Sequence, residues 1–172
     1  MTFKRDLNQK NAGVYVNEKF YSIETLSGMG LLSRDFRAKE YILLPDASEE
    51  ELGQAILGAL SYSRVVNRKA DPELWDTEAA KIRAQKWIEG LMQRFGYKTR
   101  AVMFRKMKSC DIVMKNGMIE ISPSRRERNG NLFTGEGIQK SDYIYLPDTS
   151  TPAEIGAGLK LALSRCLPKE IE

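Results

Sequence analysis

The chain has 172 residues, 42% hydrophobic and 29% charged, a composition that excludes a disordered tail, a coiled-coil rod and a membrane-spanning protein and fits one domain over residues 1–172. Its 27 Lys and Arg against 23 Asp and Glu leave a net charge of +4, mild enough to permit an acidic partner, protein or nucleic acid, without selecting one. It has no histidine, which excludes Ser-His and Cys-His nucleophile pairs, His-containing zinc sites and the usual general base near neutral pH.

Met1–Lys10 is polar and charged, unlike the apolar centre of a secretory signal, so the cytoplasm is the expected compartment. Gly13–Val16 and Lys19–Ile23 read as paired strands around Asn17-Glu18, and Ser27-Gly28-Met29-Gly30 as a flexible loop. A repeat follows. EYILLPDASEEELGQAILGAL at 40–60 aligns with DYIYLPDTSTPAEIGAGLKLAL at 142–163, with one inserted residue. Each copy predicts a short buried strand that Pro45 or Pro147 stops. A helix follows, opened by Ser48 and Glu51 in the first copy and by Thr151, Pro152 and Glu154 in the second. The units 41–64 and 143–166 are therefore expected as pseudo-symmetric halves of one domain. Gly53 and Gly156 share a place in them that suggests close packing of helix on sheet.

Between the copies, Leu74, Ile82, Trp87, Ile88 and Leu91 recur at helical spacing up to Phe95, with Gly96 as the stop. Trp87 fits the core face, and Trp75 covers the helix start. Tyr97–Met107 is predicted as a strand, with a basic outer face across Lys98–Lys108. Asp111–Met114 and Met118–Ser122 flank Lys115-Asn116-Gly117, the strongest short hairpin signal, and Pro123 ends the pair. The predicted class is α+β, a largely antiparallel sheet with helices packed on it. Cys110 and Cys166 lack a CxxC pattern and are too few for an all-cysteine zinc site. They read as reduced, mostly buried thiols, with a disulfide as the alternative.

Two places attract a functional reading. Residues 124–140, SRRERNGNLFTGEGIQK, form a long irregular basic loop with Arg125, Arg126 and Arg128 and an aromatic, Phe133. Arginine forks and aromatic anchors suit a partner surface. Glu49-Glu50-Glu51 lie where carboxylates complement a helix dipole. Neither glycine-rich stretch carries the spacing of a P-loop or a dinucleotide fold. No pair of residues emerges as catalytic, cofactor-binding or metal-binding.

The segments ILLPDASEEELGQAILGALSYSR (42–64), WIEGLMQRFGYKTRAVMF (87–104), KMKSCDI (106–112), NGMIEISPS (116–124) and IGAGLKLALSRC (155–166) occur in order along most of the chain. Together they resemble the immunity proteins of bacterial contact-dependent growth inhibition (CDI) systems. The resemblance implies a protein that is not an enzyme, uses no cofactor and stays in the cytoplasm of the producing cell. It would bind the C-terminal toxin domain of a cognate surface effector, most often a nuclease, and neutralise it by stoichiometric capture. No membrane and no direct nucleic-acid contact are expected, and a monomer is the expected form. Arg125, Arg126, Arg128 and Phe133 compete with Glu49 and Glu50 as the contact face. A basic nuclease facing this net basic chain requires an acidic local patch on the inhibitor or acidic residues near the toxin's active site. The alternative is a small nucleic-acid-binding regulator using the same basic loop and strand, with strongly salt-dependent binding.

Overall fold

Side-chain alternation builds the sheet. The computed structural model describes residues 8–127 and 132–168, so Arg128 lies outside the described residues. In Lys10–Val16 (β1), Ala12, Val14 and Val16 face one side and Tyr15 the other. Tyr21–Met29 (β2) pairs antiparallel with β1, placing Ile23 opposite Val14 and Glu24 opposite Gly13. Leu31–Arg34 (β3) and Tyr41–Leu43 (β4) both pair with β2. On the other side of β1 come Lys108–Lys115 (β5), Met118–Pro123 (β6) and Ile144–Pro147 (β9), giving the order β3-β2-β1-β5-β6-β9 with every pairing antiparallel. Asn116 and Gly117 both take positive φ, 51° and 75°, the type I′ geometry that matches the twist of a two-residue hairpin.

Helices α1 (Glu49–Tyr62) and α4 (Pro152–Ser164) cover the face of Val14 and Ile23. Both open with the capping box the repeat predicts. Ser48 Oγ accepts from Glu51 N–H at 3.1 Å while Glu51 accepts from Ser48 N–H at 2.7 Å. Thr151 and Glu154 repeat this at 3.2 and 3.1 Å. Leu52, Ile56, Leu60, Ile155 and Leu159 close over Ile23, Ile112, Ile119 and Ile121, all with no exposed surface.

Gly53 and Gly156 do not pack on the sheet as the sequence suggests. A Cβ on Gly53 would overlap the backbone of Pro152, and one on Gly156 the backbone of Glu49. Each glycine therefore receives the first turn of the other helix. The reason is geometric: both helices run over the same sheet face, so their closest approach is to each other.

The second core lies on the opposite face. Helix α2 (Thr77–Phe95) starts at Asp76, whose carboxylate accepts from Ala79 N–H, and ends at Gly96 in the left-handed conformation, φ 72°. Ile88 and Leu91 pack with Phe20, Tyr97, Met103, Phe104 and Met107, and Phe20 stacks on Phe95 at 4.8 Å between ring centres. Residues 97–107 are not a strand. Arg100–Phe104 is a short helix (α3) capped by Thr99, whose hydroxyl accepts from Val102 N–H at 3.2 Å. The buried set Met103, Phe104 and Met107 has helical spacing, and a Thr N-cap outweighed the imperfect alternation.

Two predicted loops contain strand among their described residues. Ser27–Met29 continues β2, and Gly28 bonds at 3.0 Å to Arg64 O and at 3.3 Å from Val66 N–H. The chain leaving α1 supplies partners that a local reading of Ser-Gly cannot anticipate. Residues 124–140 contain Arg125–Arg126 (β7) paired with Phe133–Thr134 (β8), then a 3₁₀ turn at Lys140–Asp142. Leu167, just beyond α4, secures the hairpin by donating to Ser124 O at 3.0 Å and accepting from Arg126 N–H at 3.3 Å.

Candidate functional site

On the face away from α1 and α4, a cleft of about 640 Å³ opens between β2–β3, the following segment to Glu40, and α2. Tyr15 and Trp87 form an aromatic wall, their rings 5.5 Å apart. Arg34, from β3, lies over the Trp87 ring at 3.9 Å and pairs with the buried carboxylate of Glu24 on β2. Trp87 Nε1 donates to Glu40, which also accepts from Ser22 Oγ at 3.0 Å. Phe36 sits between the guanidinium groups of Arg83 at 4.0 Å and Arg37 at 4.3 Å. Exposed Lys39 and Lys86 complete the rim.

The wall after β3 is held by an ion-pair network. Arg64 donates to Asp35 at 2.8 Å and Asp71 at 2.9 Å, Ser27 Oγ donates to Asp35 at 2.7 Å, and Arg37 reaches Asp71 and Glu73. Burial alone would raise the Asp35 carboxyl, but the hydrogen bonds from Arg64 and Ser27 outweigh it and hold it below its ordinary value. The Arg64 hydrogen bond likewise lowers Asp71.

Glu24 behaves oppositely. Burial pushes its carboxyl up to about 7, with Arg34 only partly offsetting the desolvation. Between the ordinary value of 4.5 and about 7, the folded protein therefore holds more protons on this group than the unfolded chain. Its contribution falls as pH rises through that window, by roughly 3 kcal/mol in all. Urea unfolding across pH 4.5 to 8 is expected to show this loss in the wild type and not in Glu24→Gln. Equal slopes in the two proteins would contradict the assignment.

Beyond Tyr15 lies a smaller cavity of about 270 Å³, lined by Ser109, Asp111, Ser122, Phe133 and Tyr143 among others. Phe133 meets Tyr15 edge to face at 5.8 Å, so the β7–β8 hairpin extends the same surface. The sheet beside it exposes Asp111 and Tyr145, with Glu120 half-buried.

Of the residues the sequence singles out, Phe133 and Arg126 reach this face. Both are half-buried, and Arg126 donates to Arg105 O. Arg125 is mostly covered, its side chain 13% exposed, and lies near Glu127 and Glu136 at 4.0 and 3.9 Å. Its surroundings are those of a buttress of the hairpin. Glu49 and Glu50 are exposed at the start of α1, on the other layer, and the fold does not bring them to the arginines. Of the residues that line the cleft, Tyr15, Glu24, Arg34 and Glu40 have no functional reading in the sequence, and Trp87 reads there only as a core-face residue, which its packing against the second core bears out. A faint signal existed: Tyr15 and Glu24 occupy the strand phase opposite to Val14 and Ile23.

The make-up of the cleft suits recognition. Trp, Tyr and Arg are the residues that dominate binding energy when they line a concave, partly desolvated site. The exposed carboxylate of Glu40 sits beside cations at Arg34, Lys39 and Lys86, the kind of mixed charge pattern that sets partner choice at an interface. Among the described residues, no group of three or more potential ligands could hold a metal ion, and no helix is long and apolar enough to cross a membrane.

Comparisons with known proteins agree over nearly the whole chain. The family model described as CDI immunity protein matches residues 10–166. An immunity protein, CdiI-YPIII, from Yersinia pseudotuberculosis serotype O:3 (strain YPIII) is 36% identical over 167 residues, covering 90% of this chain and 94% of the relative. A chain in a solved toxin and immunity complex from Yersinia pseudotuberculosis superposes with a TM-score of 0.85 at 35% identity, covering 92% of this chain and 97% of that one. A Neisseria meningitidis protein of unknown function also superposes with a TM-score of 0.85, at 38% identity over 96% of this chain and 99% of its own.

Proposed function

The chain belongs to the CDI immunity protein family, and from that membership we propose that it protects the cell that makes it by capturing the C-terminal toxin domain of its own cognate effector. The observation that carries this reading is the end-to-end likeness to a chain solved in a toxin and immunity complex. The cleft supports it, because its Trp, Tyr and Arg lining has the make-up of a binding hot spot.

The toxin is a nuclease in this reading, and the carboxylates of Glu40, Asp111 and Glu120 on one face of a net basic chain supply negative surface against a nucleic-acid-binding site. An intracellular nuclease must be met where its substrate is, so the protein works in the cytoplasm. It acts as a monomer, without a cofactor and without turnover. The contact face is the one bearing the cleft and the β7–β8 hairpin, with Trp87, Arg34, Tyr15 and Phe133 as anchors and Arg126 beside them. Arg128 belongs to the same segment by sequence. Glu49 and Glu50 complement the α1 dipole instead.

The test is protection in growing cells. Induction of the cognate effector's toxin domain is expected to arrest growth, and co-expression of the chain to restore it. Arrest that persists with the chain soluble and abundant would overturn the proposal.

A further inference from the structure

Cys110 and Cys166 are 56 positions apart in sequence, yet their sulfurs lie 3.9 Å from each other. Cys110 is fully buried on β5, against the sheet-side core. Cys166 follows the last turn of α4 and is only partly buried. Both are free thiols. We propose that this pair is an oxidant-responsive site that closes to a reversible disulfide, locking the end of α4 onto the sheet.

The two sulfurs are unequal in the way such a reaction needs. Contact with the Cys110 thiol lowers Cys166 against the opposing effect of burial, helped by the Ser124 and Ser109 backbone and the charge of Lys108, while the same contact and burial push Cys110 up. Cys166, the less buried of the two, is the sulfur an oxidant meets first and so the attacking thiolate, and the fully buried Cys110 is the resolving thiol. With hydrogen peroxide as oxidant, Cys166 sulfur attacks one peroxide oxygen, the O–O bond breaks, and hydroxide leaves to take up a proton as water. Cys166 is then a sulfenic acid. Cys110 sulfur attacks it, the S–S bond forms, the S–O bond breaks, and the departing hydroxyl leaves as water with the Cys110 proton. Two thiols and one peroxide give one disulfide and two waters, and two electrons pass from sulfur to oxygen. The sulfurs must approach by about 2 Å.

The site has a structural consequence. Leu167, the next residue, is the anchor of the β7–β8 hairpin through Ser124 and Arg126. A Cys110–Cys166 bond fixes that anchor covalently, so the oxidised protein holds the hairpin and the C-terminal helix more firmly than the reduced one.

The experiment treats the purified full-length chain with stoichiometric hydrogen peroxide and follows free thiols, intact mass and thermal unfolding with and without dithiothreitol. Expected are loss of both thiols, a mass decrease of about 2 Da, a Cys110–Cys166 linked peptide, and a dithiothreitol-reversible rise in Tm of roughly 5–15 °C. Cys166→Ser, a near-isosteric change, is expected to show neither the mass loss nor the Tm rise. Thiols that survive the treatment, a gain of oxygen at Cys166 without the cross-link, or a cross-link that leaves Tm unchanged or lower would each overturn the proposal.

Discussion

Replacing Gly53 or Gly156 with alanine is expected to destabilise the protein by about 3 kcal/mol or more, lowering Tm by roughly 6–12 °C. In most helices the same change stabilises, because alanine loses less backbone freedom on folding. Here the new methyl groups would overlap the backbone of Pro152 and Glu49. Backbone at the first turn of a helix cannot rotate aside as a side chain can, so the two helices must separate, and the core of Leu52, Ile56, Ile155 and Leu159 opens with them. Gly90 is the internal control. It lies exposed in α2 with open space around a built Cβ, and Gly90→Ala is expected to raise stability by about 0.5–1 kcal/mol. Chemical denaturation of the three variants decides the matter. If Gly53→Ala and Gly156→Ala match Gly90→Ala, the reciprocal contact is not what holds the helices together.

The second large effect concerns recognition. Trp87→Ala is expected to weaken toxin binding by about 2–4 kcal/mol, roughly 30- to 1,000-fold in Kd. Trp87 joins Tyr15, Arg34 and Glu40 at the cleft wall, so its removal takes away the stacking surface and leaves the Arg34 guanidinium without its aromatic neighbour. Because Trp87 also packs against the second core, the fold of the variant is checked by circular dichroism. Lys86→Glu, exposed on the same rim, tests the face without touching that core and is expected to slow association and change its salt dependence. Unchanged affinity in both variants would move the contact face elsewhere.

The sheet, the repeat helices and α2 were legible because their signals are local. The alternation around Val14, the Asn116-Gly117 turn, the two capping boxes and the Gly96 stop each depend on a few neighbouring residues. The errors came where a distant segment decides. Gly28 stays in a strand because residues after α1 bond to it, and Gly53 faces a helix start about a hundred positions away. The stretch 97–107 failed differently. Val102 and Phe104 mimic alternation, while Thr99 as a cap and the spacing of Met103 and Met107 give the opposite answer. The basic residues Lys98, Arg100, Arg105 and Lys106 stay exposed, but on a short helix and its flanking turns and not on the outer face of a strand.

The candidate site was the least legible part, for a physical reason. Its members come from β1, β2, β3, the segment to Glu40, and α2, so no window of sequence contains the site. The basic loop drew the eye because Arg125, Arg126 and Arg128 are adjacent in sequence. In the fold, Arg125 turns under cover of its own hairpin while Arg126 and Phe133 approach the cleft side. Charge clustering in sequence is thus a poor guide to charge on a surface when the chain reverses within a few residues.

Isothermal titration of the purified chain with the C-terminal toxin domain of the proposed cognate effector, coupled to an assay of nucleic-acid cleavage by that domain, tests the proposed capture most directly. One-to-one binding with nanomolar or tighter Kd, about −12 kcal/mol, and cleavage that stops at one equivalent are the expected results. Absence of binding at micromolar concentrations, or cleavage that continues with the chain in saturating excess, would contradict it.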